Sequence, residues 1–115
     1  MNELARVREE WRGDIAVACI EGEIDASNVA TLGSRLRDML GNQAHGMVVD
    51  LTHTEYLDSS GINLLFVLGD ELRARQQRLR VVVGPTTPIA RLLEITGLDR
   101  NHPVRDTVEE ALAAE

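Results

Sequence analysis

The sequence predicts an α/β fold built on a mixed, mostly parallel sheet, with an antiparallel strand at its N-terminal edge and helices mainly on one side. Three observations lead there. Short β-branched runs alternate with helical apolar periods along most of the chain, and that alternation implies parallel strands joined by right-handed crossovers. The first two strand-like runs are separated by a short stretch holding the turn signal Gly13-Asp14, too short for a crossover, so they form a hairpin. The length of 115 residues with 43% hydrophobic residues suits one folded domain over residues 1–115, and nothing in the sequence repeats or resembles an interdomain linker.

Taken in order, Val7 to Trp11 is an edge strand and Ile15 to Glu21 a buried one, rich in β-branched residues. "GEIDASN" follows, full of cap and turn residues. Val29, Leu32, Leu36, Met39 and Leu40 then recur at steps of three and four and share a helix face that stops at Gly41-Asn42. Met47 to Leu51 is a third strand. "HTE" at 53–55 reads as a surface loop. A second long helix opens after "YLDSSG" and runs to about Arg78, with Ile62, Leu65, Phe66, Gly69 and Leu72 as its core face. Leu79 to Gly84 is a strand. Thr87-Pro88 is an N-cap followed by proline at the first helical position, and Ile89, Leu92 and Leu93 form the next stripe. Gly97 suits the left-handed position past that helix, with Leu98 folding back toward Leu93. His102 to Arg105 gives a last short strand, and Asp106-Thr107-Val108-Glu109 a capping box for a C-terminal helix.

Trp11, Tyr56 and Phe66 are the only aromatics, so the core is aliphatic. The formal net charge of -7, with no basic stripe, argues against nucleic-acid binding. Cys19 is the single cysteine and lies in an apolar run, as a small buried hydrophobe would. His45, His53 and His102 lack metal-ligand spacing. There is no signal-peptide pattern and no apolar run of membrane-spanning length. The expectation is a soluble, cytoplasmic protein without metal or cofactor.

Functional residues of such sheets gather beyond the carboxyl ends of the strands. Asp25 follows the second strand, Asp50 lies near the end of the third, and Asp58, Ser59 and Ser60 stand at the mouth of the second long helix. Three acids and two hydroxyls are expected to be neighbours. One of the residues 58–60 caps the helix, because its first N–H groups lack intrahelical partners. The second hydroxyl is then left over. Gly61 leaves room for another protein's backbone to approach. Leu64 and Val67 project opposite the core stripe and either pack under another helix or form an apolar docking patch beside Ser59. A nucleophile elbow is absent, because Leu57 stands two positions before Ser59 where glycine would be needed. Ser59 reads better as a phosphate acceptor than as a nucleophile, since a helix N-terminus favours added negative charge.

"GEID", "VVDL", "YLDSSGI" and "LLEITGLD", in that order and over nearly the whole chain, resemble the STAS domain, and within it the stand-alone anti-sigma factor antagonists of bacteria. The resemblance implies partner switching. The unphosphorylated antagonist binds an anti-sigma factor that is also a serine kinase of the histidine-kinase-like ATPase fold, and sigma factor is released. The kinase then phosphorylates the first serine of the motif, Ser59 here, and a metal-dependent serine phosphatase resets the switch. ATP and Mg²⁺ belong to the kinase, so the resemblance implies no catalysis and no cofactor in this chain. Asp25, Asp58, Ser60 and Gly61, with Leu64, are the implied partner-binding residues around Ser59. Asp50 carries less weight, because the family also accepts asparagine there. Two other implied roles remain: a scaffold or regulator in another signalling assembly, and a small-ligand-binding STAS module.

Overall fold

The computed structural model describes residues 4–41 and 43–114. Among them the chain forms a six-stranded sheet in which β1 (Ala5–Arg12) and β2 (Ile15–Ile24) are antiparallel and every other pairing is parallel. Gly13, at φ +62°, turns the hairpin between them. The expected edge strand is therefore present and longer at both ends than the apolar pattern marks. Asn42, half of the expected stop after the first helix, lies outside the described residues.

β2 is the organising strand. Its first half, Ile15 to Cys19, pairs with β3 (Gly46–Asp50), and its last residues, Gly22 to Ile24, pair with β4 (Thr54–Leu57). β3 continues the sheet to β5 (Leu79–Val82) and β6 (Val104–Arg105). β4 corrects the sequence reading of 53–55 as a surface loop. Thr54 is buried, and its hydroxyl donates to the Ile20 carbonyl at 2.8 Å, so a polar residue enters the strand with its hydrogen bond satisfied.

Three helices cover one face: α1 (Val29–Leu40), α2 (Ser59–Ala74) and α3 (Pro88–Thr96). They enclose the main core, built from Ala16, Ala18 and Ile20 of β2, Met47 and Val49 of β3, and Leu36, Leu65, Leu68, Leu72 and Leu93 of the helices. The opposite face carries a smaller cluster of Val17, Cys19, Val48 and Val82 under Ala111 of α4 (Val108–Ala113). Burying each leucine of the main core contributes roughly 1.5–3 kcal/mol. The aliphatic composition thus has a simple consequence: shape fit among branched side chains holds the layers together.

The helix ends follow local chemistry. The Thr87 hydroxyl accepts from Ala90 N–H at 3.2 Å with Pro88 in the first turn, and Gly97 ends α3 at φ +81°, both as expected. Leu98 is fully buried, as the fold-back predicts. α4 is capped by Thr107, which accepts from Glu110 N–H at 3.1 Å, one residue later than a cap at Asp106. α2 stops at Ala74, not Arg78. Gln76 takes the left-handed conformation at φ +61°, and Gln77 N–H bonds the Leu72 carbonyl at 2.8 Å. A glutamine in that position leaves no glycine for a sequence reading to find. Leu68, fully buried, belongs to the core face of α2, while Phe66 is only half-buried.

Gly69 of α2 has a different task. His102 is 3% exposed and lies so close that a Cβ at Gly69 would come 2.5 Å from its Cε1 and Nε2. Burial pushes the His102 imidazole below its ordinary pKa; Arg73 and Arg78 push the same way and Asp70 opposes them. The unfolded chain therefore binds this proton at higher pH than the folded one. Stability from this group is complete above about pH 6.5, the ordinary histidine value, and is lost as pH falls toward the lower folded value. In urea titrations we expect the unfolding free energy to fall from pH 7.5 to pH 5.5 by up to about 1.4 kcal/mol per pH unit. In His102→Gln that slope should flatten; an unchanged slope would assign it to other groups.

Candidate functional site: the mouth of α2 beside the end of β2

Ile24, the last residue of β2, is the cross-strand partner of Leu57, the last residue of β4. The Asp58 N–H then bonds the Ile24 carbonyl at 3.2 Å. Two loops consequently leave the sheet side by side: the one that opens with Asp25 and leads to α1, and the one that opens with Asp58 and leads into α2.

Asp58 is the N-cap of α2. Its backbone is extended, and its Oδ1 accepts from Ser60 N–H at 2.9 Å and Gly61 N–H at 3.2 Å. Two of the helix's orphan donors are satisfied by one carboxylate, whose charge also suits the positive end of the helix dipole. Ser59 is the first residue of α2 and is exposed. Among the described residues none is hydrogen-bonded to its hydroxyl. Ser60 is half-buried and Gly61 buried. A Cβ on Gly61 would overlap Leu57 Cδ1 and come 3.0 Å from Ile24 Cγ2. Gly61 therefore lets the first turn of α2 sit directly on the strand ends, which corrects the expectation that it leaves space for a partner's backbone.

Asp25 builds its own loop. Its Oδ1 accepts from Ser27 N–H at 2.8 Å and from the Ser27 hydroxyl at 2.5 Å. Those two bonds hold its carboxyl below the usual carboxylate range. Asn28 closes the loop, with Oδ1 accepting from Asp25 N–H at 3.0 Å and Nδ2 donating to the Glu23 carbonyl at 2.8 Å. Asp25 and Asp58 are thus brought to one end of the sheet without bonding each other.

Asp50 is not with them. It pairs with Cys19, five residues before Ile24, which places it about 16 Å down the strand. Its side chain shares the α4 face with Cys19, whose thiol lies 3.7 Å from Asp50 Oδ2, and its Oδ1 accepts from Thr52 N–H at 2.9 Å. The expected gathering of three acids is thus a gathering of two. Leu64 takes the first of its two expected roles, which removes it from the implied partner-binding set. It is 8% exposed and packs against α1, where its Cδ1 would stand 3.0 Å from a Cβ on Gly33, so it belongs to the helix–helix contact and not to an open docking surface. Val67 is 37% exposed, and with Ser59 and Asn63 it forms an exposed stripe at steps of four along α2. Tyr56, 50% exposed, stands two residues before the cap. Tyr56 and Asn63 escaped the sequence reading because the first lies on the unrecognised β4 and the second is an ordinary polar helix residue.

The chemistry open to this site is limited. His45 is held by Asp14 at 2.6 Å, and His102 lies against Gly69, ten residues and about 15 Å along α2 from Ser59. Neither can serve Ser59 as a base. The arrangement offers an exposed alcohol, at the positive end of a helix, beside two carboxylates.

The family model for the STAS domain matches residues 7–111. This chain belongs to the STAS domain family. Among its relatives, the anti-sigma-B factor antagonist of Listeria monocytogenes is 36% identical over 85 residues, which covers 74% of this chain and 71% of the relative. The anti-sigma-F factor antagonist RsfB of Mycobacterium tuberculosis is 28% identical over 98 residues, covering 85% of this chain and 79% of the relative. The crystal structure of an anti-sigma factor antagonist from Mycobacterium paratuberculosis superposes with a TM-score of 0.84 at 27% identity, over 95% of this STAS chain and 92% of that one.

Neighbouring residues of this STAS site should separate cleanly in stability. Asp58→Ala removes the cap and is expected to cost about 0.5–2 kcal/mol, whereas Asp58→Asn keeps an accepting oxygen and most of that energy. Ser59→Ala, at an exposed and unbonded hydroxyl, should stay within about 0.5 kcal/mol of the parent. Thermal denaturation of the three variants would test this, and a Ser59→Ala as unstable as Asp58→Ala would move the capping role to the serine.

Proposed function

We propose that this STAS domain, residues 1–115 acting as one unit, is a cytoplasmic anti-sigma factor antagonist that works by partner switching. Unphosphorylated, it binds an anti-sigma factor that is itself a serine kinase of the histidine-kinase-like ATPase fold, so that sigma factor is released. Phosphorylation of Ser59 ends that complex, and a metal-dependent serine phosphatase restores it. The observation that carries this reading is that the Ser59 hydroxyl is exposed and spare. Asp58 performs the capping, so the alcohol is free for a kinase without loss to the fold.

The docking surface in this reading is the exposed Tyr56, Ser59, Asn63 and Val67, with the Asp25 loop on one flank and Asp58 and Ser60 at the helix mouth. Phosphate adds about 1.5–2 negative charges at pH 7 in the middle of that surface. One such charge about 6 Å from a partner carboxylate, at an effective dielectric near 20, is repelled by roughly 3 kcal/mol. Screening at an exposed interface reduces this to about 1–3 kcal/mol, a weakening of binding by about five- to over a hundredfold. The phosphate acts on docking and leaves the domain folded.

Incubation with candidate anti-sigma kinases and ATP, followed by phosphosite mapping, tests the assignment. The expected product carries one phosphate at Ser59, none forms on Ser59→Ala, and Ser59→Ala holds the kinase in the presence of ATP while the parent lets go. Ser59→Asp should melt within a few degrees of the parent while binding the kinase more weakly. Ser59→Ala and parent chains that behave alike in capture and release with ATP would defeat the proposal.

A further inference from the structure

Among the described residues β1 is an edge strand with no strand on its outer side, and the direction of its backbone groups can be read from two places. The Leu4 carbonyl accepts from Glu23 N–H at 2.8 Å, and Arg12 and Ile15 close a two-residue hairpin as a pair. Both fix the even-numbered residues as those bonded to β2. Because backbone groups alternate along a strand, Ala5, Val7, Glu9 and Trp11 point their N–H and C=O groups outward. The side chains of Val7, Glu9 and Trp11 lie on the α1 face, and those of Arg8, Glu10 and Arg12 on the α4 face, where Arg12 meets Glu109 of α4 at 3.3 Å. Along the α1 side runs a seam. Its upper groove, about 350 Å³, is lined by Ala5, Val7, Thr31, Leu32 and Arg35; its lower groove, about 330 Å³, by Trp11 and Met39. Between them Arg35 reaches Glu9 at 3.7 Å.

Long flat edges invite strand addition, and charges usually forbid it. Here the charges alternate in a way that complements a second copy of the same strand. We infer that two copies of this chain pair antiparallel through β1, with Glu9 opposite Glu9 on the two-fold axis. That register brings the outward residues Val7, Glu9 and Trp11 against Trp11, Glu9 and Val7 of the other copy, and about six backbone hydrogen bonds form. On the α4 face, Arg8 of each copy stands opposite Glu10 of the other. Within one chain Arg8 already lies 3.5 Å from Glu10, so the pairing closes a ring of four alternating charges. On the α1 face each Trp11, 41% exposed in the single chain, covers Val7 of the other copy. The facing Glu9 pair is the unfavourable contact, and each Glu9 brings its own Arg35 and the Trp11 indole N–H, at 3.0 Å, to offset it. Shifting the register sum by two sets Arg8 against Arg8 or Glu10 against Glu10 and loses both Arg8–Glu10 pairs between the copies. β1 and β4 flank β2 on opposite sides, so this dimer leaves both Ser59 hydroxyls open.

The test is sedimentation equilibrium of the intact chain from about 10 μM to about 1 mM, with circular dichroism as a check on folding. The expected result is a reversible monomer–dimer equilibrium, with the emission of Trp11, the only tryptophan, moving to the blue as the dimer fills. Arg8→Glu and Glu10→Arg should each weaken dimerisation at least about tenfold, because each sets like charges opposite one another twice. An equimolar mixture of those two variants should recover dimer, because the heterodimer restores both opposite pairs. Glu9→Cys should cross-link on oxidation, since residues facing across a hydrogen-bonded pair have Cα atoms about 5.5 Å apart, within the roughly 4.4–6.8 Å a disulfide spans. A monomer throughout the range overturns the inference. So does a dimer that neither charge variant weakens, a mixture that fails to recover, or an absent cross-link at position 9.

Discussion

The site depends on the handover of β2 from one neighbour to another. β2 runs ten residues, twice the length of β3, and its last residues would be unpaired on that side without β4. The register shifts between Gly22 and Glu23. The extra residue is Glu55 of β4, while on the opposite side of β2 Gly22 sits at φ +102°, where a Cβ would overlap the Leu4 carbonyl oxygen. Because β4 takes over above β3, it ends level with Ile24, and α2 starts beside the Asp25 loop. If α2 followed β3 directly, its first turn would open near Asp50, about 16 Å lower along β2. The handover of β2 from β3 to β4 therefore decides which loop lies beside the mouth of α2.

At that mouth, adjacent residues of one short motif divide the tasks between them. Asp58 satisfies the amides, Gly61 permits contact with Leu57 and Ile24, and Ser59 is left facing solvent. The local field is mixed. The helix end favours negative charge, while Asp58 and Asp25, the latter kept ionised by its bonds to Ser27, oppose more of it. A phosphate on Ser59 would be tolerated by the helix and felt strongly by anything docked over it.

Most of the fold could be read from the sequence because its signals are local. Thr87-Pro88, Gly97 and the leucine periods of α1 and α2 act within a turn or two of themselves and appear as the pattern implies, apart from the added Leu68 and the half-buried Phe66 on α2. What escaped depends on distant partners. Thr54 enters a strand only because Ile20, thirty-four residues earlier, offers a carbonyl. Leu64 lies away from the core stripe of α2, and only Gly33 of α1 decides between the two roles the sequence leaves open to it. Asp25 follows one strand and Asp50 ends another, yet the parity of β3 turns Asp50 to the α4 face. The site was readable to the same extent: capping rules place the cap among residues 58–60 and the family resemblance singles out Ser59, whereas Tyr56 and Asn63 acquire meaning only from their exposure beside Ser59.

The anchoring of α2 bears on how any event at Ser59 would be transmitted. Leu65, Leu68 and Leu72 are buried along the helix, Gly69 is pressed against His102, and Glu71 holds Arg37 of α1 through two bonds of 2.9 and 3.0 Å. The exposed ion pair adds little, but the three leucines together contribute roughly 5–9 kcal/mol. A charge at a helix N-terminus alters helix stability by about 0.3–1 kcal/mol, and in the favourable direction. Modification at the first residue of α2 therefore lacks the energy to loosen the helix. The same charge set against an acidic group of a docked protein costs about 1–3 kcal/mol across the interface after screening. For this architecture, a change of partner is the low-energy response and a change of fold is not.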